Sequence, residues 1–160
     1  MTKWTFSDPG SWRQSHMGHW LRLALERFDT RVLALMAHDP GMPLGLANLV
    51  TRGQVGAAHI HITRHLATEG SRLTELAQRA GMTKQAMGNL VDQCEAWGMV
   101  TRELDPHDAR ARQLRFTDSG LAWLDAYRAA VAQAELELRQ SVGEEVATVL
   151  AIGLEAYSGQ

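Results

Sequence analysis

Cysteine is almost missing: Cys94 is the single thiol in 160 residues. One thiol excludes an internal disulfide framework and suits a reducing compartment. Long apolar runs are missing too. No segment approaches the roughly 20 apolar residues that a membrane span requires. The first residues, Met1–Pro9, lack the apolar stretch of a signal peptide. An excess of one charge is also lacking, with a formal net charge of only −2. The molecule is therefore no polycation. Any attraction for nucleic acid must come from a local patch, because a duplex attracts the surface it meets. Enzyme signatures are absent as well. There is no phosphate-cradling glycine loop after a strand, no nucleophile elbow and no His-Glu-x-x-His. The expectation is a soluble cytoplasmic protein with no catalytic site and no cofactor.

What is present is enough apolar material, 45% of residues, for a sizeable core in one domain or in one small domain with appended helices. Residues 4–11 read as a short arm with Trp4 and Phe6 as anchors. From Trp12 to His38 apolar residues recur at three- and four-residue steps (Trp20, Leu21, Ala24, Leu25, Phe28, Val32, Leu35, Met36), which predicts a helix ended by Asp39-Pro40-Gly41. Leu44–Val50 reads either as a short helical turn or as a connector. A second helix is predicted over Gln54–Ala67 and a third from a Thr74 cap to Gly81. A fourth, capped by Thr83, runs to Trp97. Strands over Val100–Leu104 and Gln113–Thr117 flank a polar, proline-containing tip. Thr117 or Asp118 then caps a long helix, Gly143 interrupts it, and Glu144–Tyr157 closes the chain. The order is ααααββαα, with no internal repeat or low-complexity tract.

The first and last helices are strongly apolar, and the small central unit cannot bury both. They either wrap their own monomer or pack together and against a second copy as a two-fold dimer; the second reading fits a two-fold DNA reader. Residues 1–50 are then arm and dimerisation helix, 51–117 the DNA-binding unit, and 118–160 further dimerisation helices.

In the central unit Ala77 offers a small helix–helix contact, Gly81 a turn that tolerates a left-handed backbone, and Met87, Leu90, Val91 and Cys94 an apolar stripe. Burying that stripe turns Lys84, Gln85, Gly88, Asn89 and Asp92 outward. Lys84 suits a phosphate or a guanine edge, and the amides of Gln85 and Asn89 suit adenine in a major groove. Gly88 costs about 1 kcal/mol relative to alanine in a helix interior, so it implies close approach to DNA or to another helix. Two amphipathic helices around a glycine also occur in proteins that bind nothing. The hairpin that follows adds Arg102 at its base, Arg110 and Arg112 near its tip and Arg115 on the return strand. Arginine at the end of a narrow hairpin suits a minor groove, with Asp108 placed to hold the Arg110 side chain by a charge-assisted hydrogen bond.

The run Leu73–Gly120 resembles the winged helix–turn–helix of the MarR family of bacterial transcriptional regulators. The resemblance is carried by Leu76-Ala77 with Gly81, Leu90-Val91-Asp92 and Gly98-Met99-Val100 with Arg102. After these come Asp105-Pro106-His107-Asp108-Ala109-Arg110 and Phe116-Thr117-Asp118-Ser119-Gly120. It implies a mainly α homodimer that binds a pseudo-palindromic double-stranded operator, usually as a repressor. Recognition helices lie in major grooves and wings in flanking minor grooves. It also implies release by a small, often aromatic or phenolic effector, or by an oxidant, near the joint between dimer helices and DNA-binding lobes. Thr83, Lys84, Gln85, Gly88, Asn89, Arg102, Asp108, Arg110 and Arg112 become the DNA-binding candidates, with Arg110 the principal wing arginine and Asp108 its orienting partner. Trp12, His16, Trp20 and His59 become the effector-pocket candidates. Ala109 departs from the second basic residue common there, and Leu44–Thr51 is longer than usual.

His61 and His65 share a helical face, and such pairs ligate zinc, but no third ligand stands at a matching spacing. The site reading is therefore no metal. Cys94 lies on the apolar stripe, as an inert thiol does. The competing functions are a winged-helix protein-interaction module and a metal- or haem-responsive variant of the regulator.

Overall fold

Residues 11–159 are described in this computed structural model; Trp4 and Phe6 lie outside them. After a 3-10 turn at Ser11–Gln14 come α1 (Met17–Ala37), α2 (Leu44–Thr51), α3 (Ala57–His65), α4 (Leu73–Arg79) and α5 (Lys84–Ala96). The hairpin β1 (Val100–Asp105) and β2 (Asp108–Phe116) follows, then α6 (Asp118–Val142) and α7 (Glu144–Ser158). The order among the described residues is αααααββαα. The additional helix is the Leu44–Thr51 segment that the sequence left open. Its entry is set by Pro43 at the cap position (φ −56°), and it holds because Leu46 is buried in the core.

Side-chain caps set several boundaries. The hydroxyls of Thr83 and Thr117 accept from the N–H groups of Ala86 (3.1 Å) and Gly120 (3.0 Å). Two starts differ from expectation. Helix α1 begins at Met17 rather than near Trp12, because His16 Nδ1 accepts from the His19 N–H (3.2 Å) and caps it there. Helix α4 begins at Leu73, not from a Thr74 cap, because Glu75 Oε2 accepts from the Arg72 N–H (3.1 Å) and makes Arg72 the cap position.

Among the described residues the core runs from α1 to α6. Met36, Leu76, Met87, Val91, Cys94, Met99 and Trp123 are all fully buried, so α5 is the keel of the central lobe and α6 its link to α1. The Trp123 indole N–H donates to Thr63 Oγ1 (2.8 Å), which ties α6 to α3 without leaving a buried donor unpaired. Arg64 reaches Asp29 of α1 (2.8 Å) and the Tyr127 hydroxyl of α6 (3.0 Å). Arg31 forks onto Glu137 with bonds of 2.6 and 2.7 Å, so the terminal helices pack together. Gly120 is where α6 meets the lobe: a Cβ there would stand 1.9 Å from the Met99 carbonyl oxygen, so only glycine fits.

Strands β1 and β2 pair antiparallel, and Ser71 adds a bridge to Leu114 on the outer side of β2. The hairpin is longer than the polar sequence between its apolar ends implied. Hydrogen bonding continues through residues with no core to face, because a projecting ribbon needs none. The turn is therefore reduced to Pro106-His107.

Candidate nucleic-acid interface

Gly81 takes φ +64° between α4 and α5, the left-handed backbone that the turn needs. With Met87, Val91 and Cys94 buried, Lys84, Gln85, Asn89 and Asp92 are exposed on α5, as helical spacing requires. Thr83 is exposed, but its hydroxyl is engaged in capping. Gly88 has room for a side chain. A Cβ there would meet only Leu73 Cδ2, at 3.9 Å, so the packing of α4 on α5 does not demand glycine.

The wing departs from its sequence reading in three ways. First, Arg110 and Arg112 lie on β2 rather than on a loose tip. The ladder is in register from Val100↔Phe116 to Leu104↔Arg112, then jumps to Asp105↔Asp108. Residues 109–111 are the surplus, and Arg110 stands in the middle of this bulge. Bulges bend a strand and re-aim its side chains. Both guanidiniums are exposed, and among the described residues neither makes an ion pair.

Second, Arg102 is already occupied. Its guanidinium pairs with Glu95 and with Asp92 (2.5 Å), joining the root of the wing to the C-terminal half of α5. It neutralises two carboxylates that would otherwise repel phosphate. Third, Asp108 does not hold the Arg110 side chain. Its Oδ1 accepts from the Arg110 backbone N–H (3.1 Å), while Oδ2 faces Arg72 at 3.4 Å. The carboxylate orients the backbone because the bulge turns the Arg110 amide inward to it. Arg72 and Asp105 were missed. They lie 33 residues apart, and only the fold-back of the wing over the start of α4 brings them together.

The effector candidates separate into two groups. Trp12, His16, His19 and Trp20 form a chain of ring contacts at 6.4, 6.1 and 5.3 Å, with both tryptophans about half exposed. His59 is instead buried against other partners. Its Nδ1 accepts from the Gly56 N–H (3.1 Å), its Nε2 lies 2.6 Å from Gln93 Oε1, and its ring is 4.8 Å from Trp97. Since Nδ1 is the acceptor, Nε2 carries the proton and donates to Gln93. Nδ1 thereby caps the start of α3, where Gly56 is the cap position, and Nε2 braces α3 against α5. Sequence reasoning missed a cavity of about 470 Å³ between α1, α6 and α7, lined by Leu21, Leu25, Phe28, Leu138, Leu150 and Leu154 among others. None of the four effector candidates lines it.

His61 and His65 stack at 6.1 Å with rings 14° from parallel. Burial first, then His61, Arg64 and Arg79, lower the His65 pKa. Among the described residues no three His, Cys, Asp or Glu converge as metal ligands. Burial pushes the Cys94 thiol up to about 12, so it stays protonated and poorly nucleophilic. No helix among the described residues is long and apolar enough to cross a membrane.

Residues 54–111 match the sequence profile of the MarR family. No curated protein matches the chain. The structure is similar to the transcriptional repressor CouR bound to a 23-mer DNA duplex, at 22% identity over 96% of this chain and 99% of that chain, with a TM-score of 0.68. It is similar to CouR from Rhodococcus jostii RHA1 bound to p-coumaroyl-CoA (22% identity, 88% and 90% covered, TM-score 0.62). Wild-type MarR from E. coli in its apo form gives 19% identity, 88% and 96% covered, and a TM-score of 0.62. The matched segment spans the helix–turn–helix and most of the wing, and the fold as a whole is similar to these solved structures over most of the chain: residues 54–111 resemble the MarR family, and the architecture is that of a MarR-like winged helix.

Proposed function

We propose that this protein is a sequence-specific, ligand-responsive repressor that acts as a homodimer on a pseudo-palindromic operator. The observation that carries the reading is the distribution of charge on the lobe. Arg72 and Arg102 are neutralised by carboxylates, whereas Lys84, Arg110 and Arg112 are exposed without ion-pair partners among the described residues. An overall charge of −2 thus coexists with free cations on the two elements that meet DNA. Lys84, Gln85 and Asn89 read the major groove, and Arg110 with Arg112 enters the flanking minor groove. Thr83 and Asp108 contribute by holding backbone, and Arg102 by cancelling acidic charge. Gly88, which no neighbouring helix requires, leaves room for a phosphate.

On this reading residues 51–117 are the reading lobe, 1–50 an arm and a dimerisation helix, and 118–160 further dimerisation helices. The support for a second copy is the exposed apolar surface on α1 and α7, where Val149 and Tyr157 are 71% and 86% exposed. One of the similar structures, CouR, is bound to p-coumaroyl-CoA. An aromatic effector of this chain would use the Trp12–His16–Trp20 cluster, whereas His59 would act only through its own bond to Gln93 of α5.

Binding sites selected from a random duplex pool by the wild-type protein supply the operator. Arg110→Ala should then bind it about tenfold or more weakly, with the dimer intact. Undiminished affinity in that variant overturns the wing assignment. Equal affinity for all duplexes overturns sequence-specific repression and returns the protein-interaction reading.

A further inference from the structure

Arg72 sits where α4 and the wing share an anchor. Its neighbour Ser71 exchanges two backbone hydrogen bonds with Leu114 (3.1 and 2.8 Å), and its own N–H is capped by Glu75. From this fixed root the guanidinium reaches the far end of the hairpin. Nε lies 2.8 Å from Asp105 Oδ2, and Nη2 lies 2.7 Å from the same oxygen and 3.4 Å from Asp108 Oδ2.

The two carboxylates are built alike. Each gives one oxygen to Arg72 and the other to the backbone N–H two residues further on, His107 for Asp105 (2.8 Å) and Arg110 for Asp108 (3.1 Å). They are also partners across the ladder. Like charges directly opposite each other on paired strands are destabilising, and here one planar fork sits against both. Asp105 is buried, and the His107 N–H together with Arg72 holds its carboxyl below the usual range.

We infer that Arg72 is a positioning residue for DNA binding: it clamps Asp105 to Asp108 and so fixes the bulge that presents Arg110. The inference rests on the wing reading above. A guanidinium can grip two acceptors in one plane, whereas a lysine ammonium is a point charge on a flexible stem. Arg72→Lys therefore keeps the charge and loses the clamp.

The test uses the duplex selected by the wild type and compares wild type, R72K, R72Q, R110A and R72K/R110A. R72K and R72Q should each lose about tenfold in affinity, and on the R110A background the R72K change should cost less than about twofold, since coupled residues are non-additive. Exchange of the His107 and Arg110 amide hydrogens should accelerate in R72K. Should the Arg72 variants not fold, D108N provides the same measurement. It keeps an acceptor for the Arg110 N–H, removes an anion near the DNA, and is nevertheless expected to weaken binding. Wild-type affinity in R72K, an additive double variant, or tighter binding by D108N overturns the clamp alone. If R110A itself binds like the wild type, the wing reading fails first, and the clamp loses its function with it.

Discussion

The reading lobe and the terminal helices solve opposite surface problems. In the lobe, several polar groups that fold inward find partners: His59 uses both ring nitrogens, Arg102 takes two carboxylates of α5, and Arg72 takes two of the wing. What the lobe leaves outside is mostly charge and amide, which water satisfies until a duplex replaces it. The terminal helices leave apolar surface outside. Of α7 only Ala147 is buried, while Val146, Val149, Ile152 and Tyr157 stand in solvent. On the proposed function the lobe's polar surface is what meets a ligand, and the apolar face of α7 is what a second copy would cover.

The sharpest way to break this contrast is to charge the α7 face. Val149→Asp with Ile152→Asp should convert the protein to monomer in sedimentation experiments. It should lower operator affinity by about a hundredfold or more, because two linked lobes gain effective concentration that one lobe lacks. Unchanged sedimentation and binding would show that the face is not the dimer contact. A smaller effect is expected at the joint between the two regions. Gly120→Ala places a methyl 1.9 Å from the Met99 carbonyl oxygen and 3.0 Å from the Phe116 ring. Forcing α6 off the lobe should lower stability by about 1–3 kcal/mol, read as a reduced urea midpoint; a midpoint equal to wild type would mean that the joint is slack. The smallest effect belongs to the exposed pair within the helices. Arg31, followed by Gln133, holds the Glu137 carboxyl down at about 2 from an ordinary 4.5. A depressed folded-state pKa means that the stabilisation is complete above about pH 4.5 and fades as pH falls towards 2. Arg31→Gln should therefore destabilise slightly at pH 6, and its difference from wild type should shrink at pH 3. A constant difference would place the effect elsewhere than in the Glu137 charge.

Legibility from sequence followed the range of the interactions. The recognition helix was readable because its signals are local: a threonine cap, a glycine at positive φ and an apolar stripe at helical spacing all fall between Gly81 and Gly98. The outward set Lys84, Gln85 and Asn89 follows from that stripe by geometry alone. Helix α2 was ambiguous because eight residues contain too few turns to separate periodicity from a short apolar run. The wing was read too short because its outer half faces water on both sides and carries no alternating pattern. Asp108 was given the wrong object, side chain instead of backbone, because a bulge does not announce itself in residue types.

The order of residues by itself determined where the recognition helix starts and stops, which side of α5 faces the core, and which arginines cluster in the wing, since caps, turns and periodicity act over a few residues. Only the tertiary structure decided which of those arginines stay free. Arg102 and Arg72 are paired with carboxylates 7 to 36 residues away, while Arg110 and Arg112 make no ion pair among the described residues. A guanidinium pairs with whatever acceptor folding carries within reach, and that distance is a property of the packed chain rather than of the sequence interval.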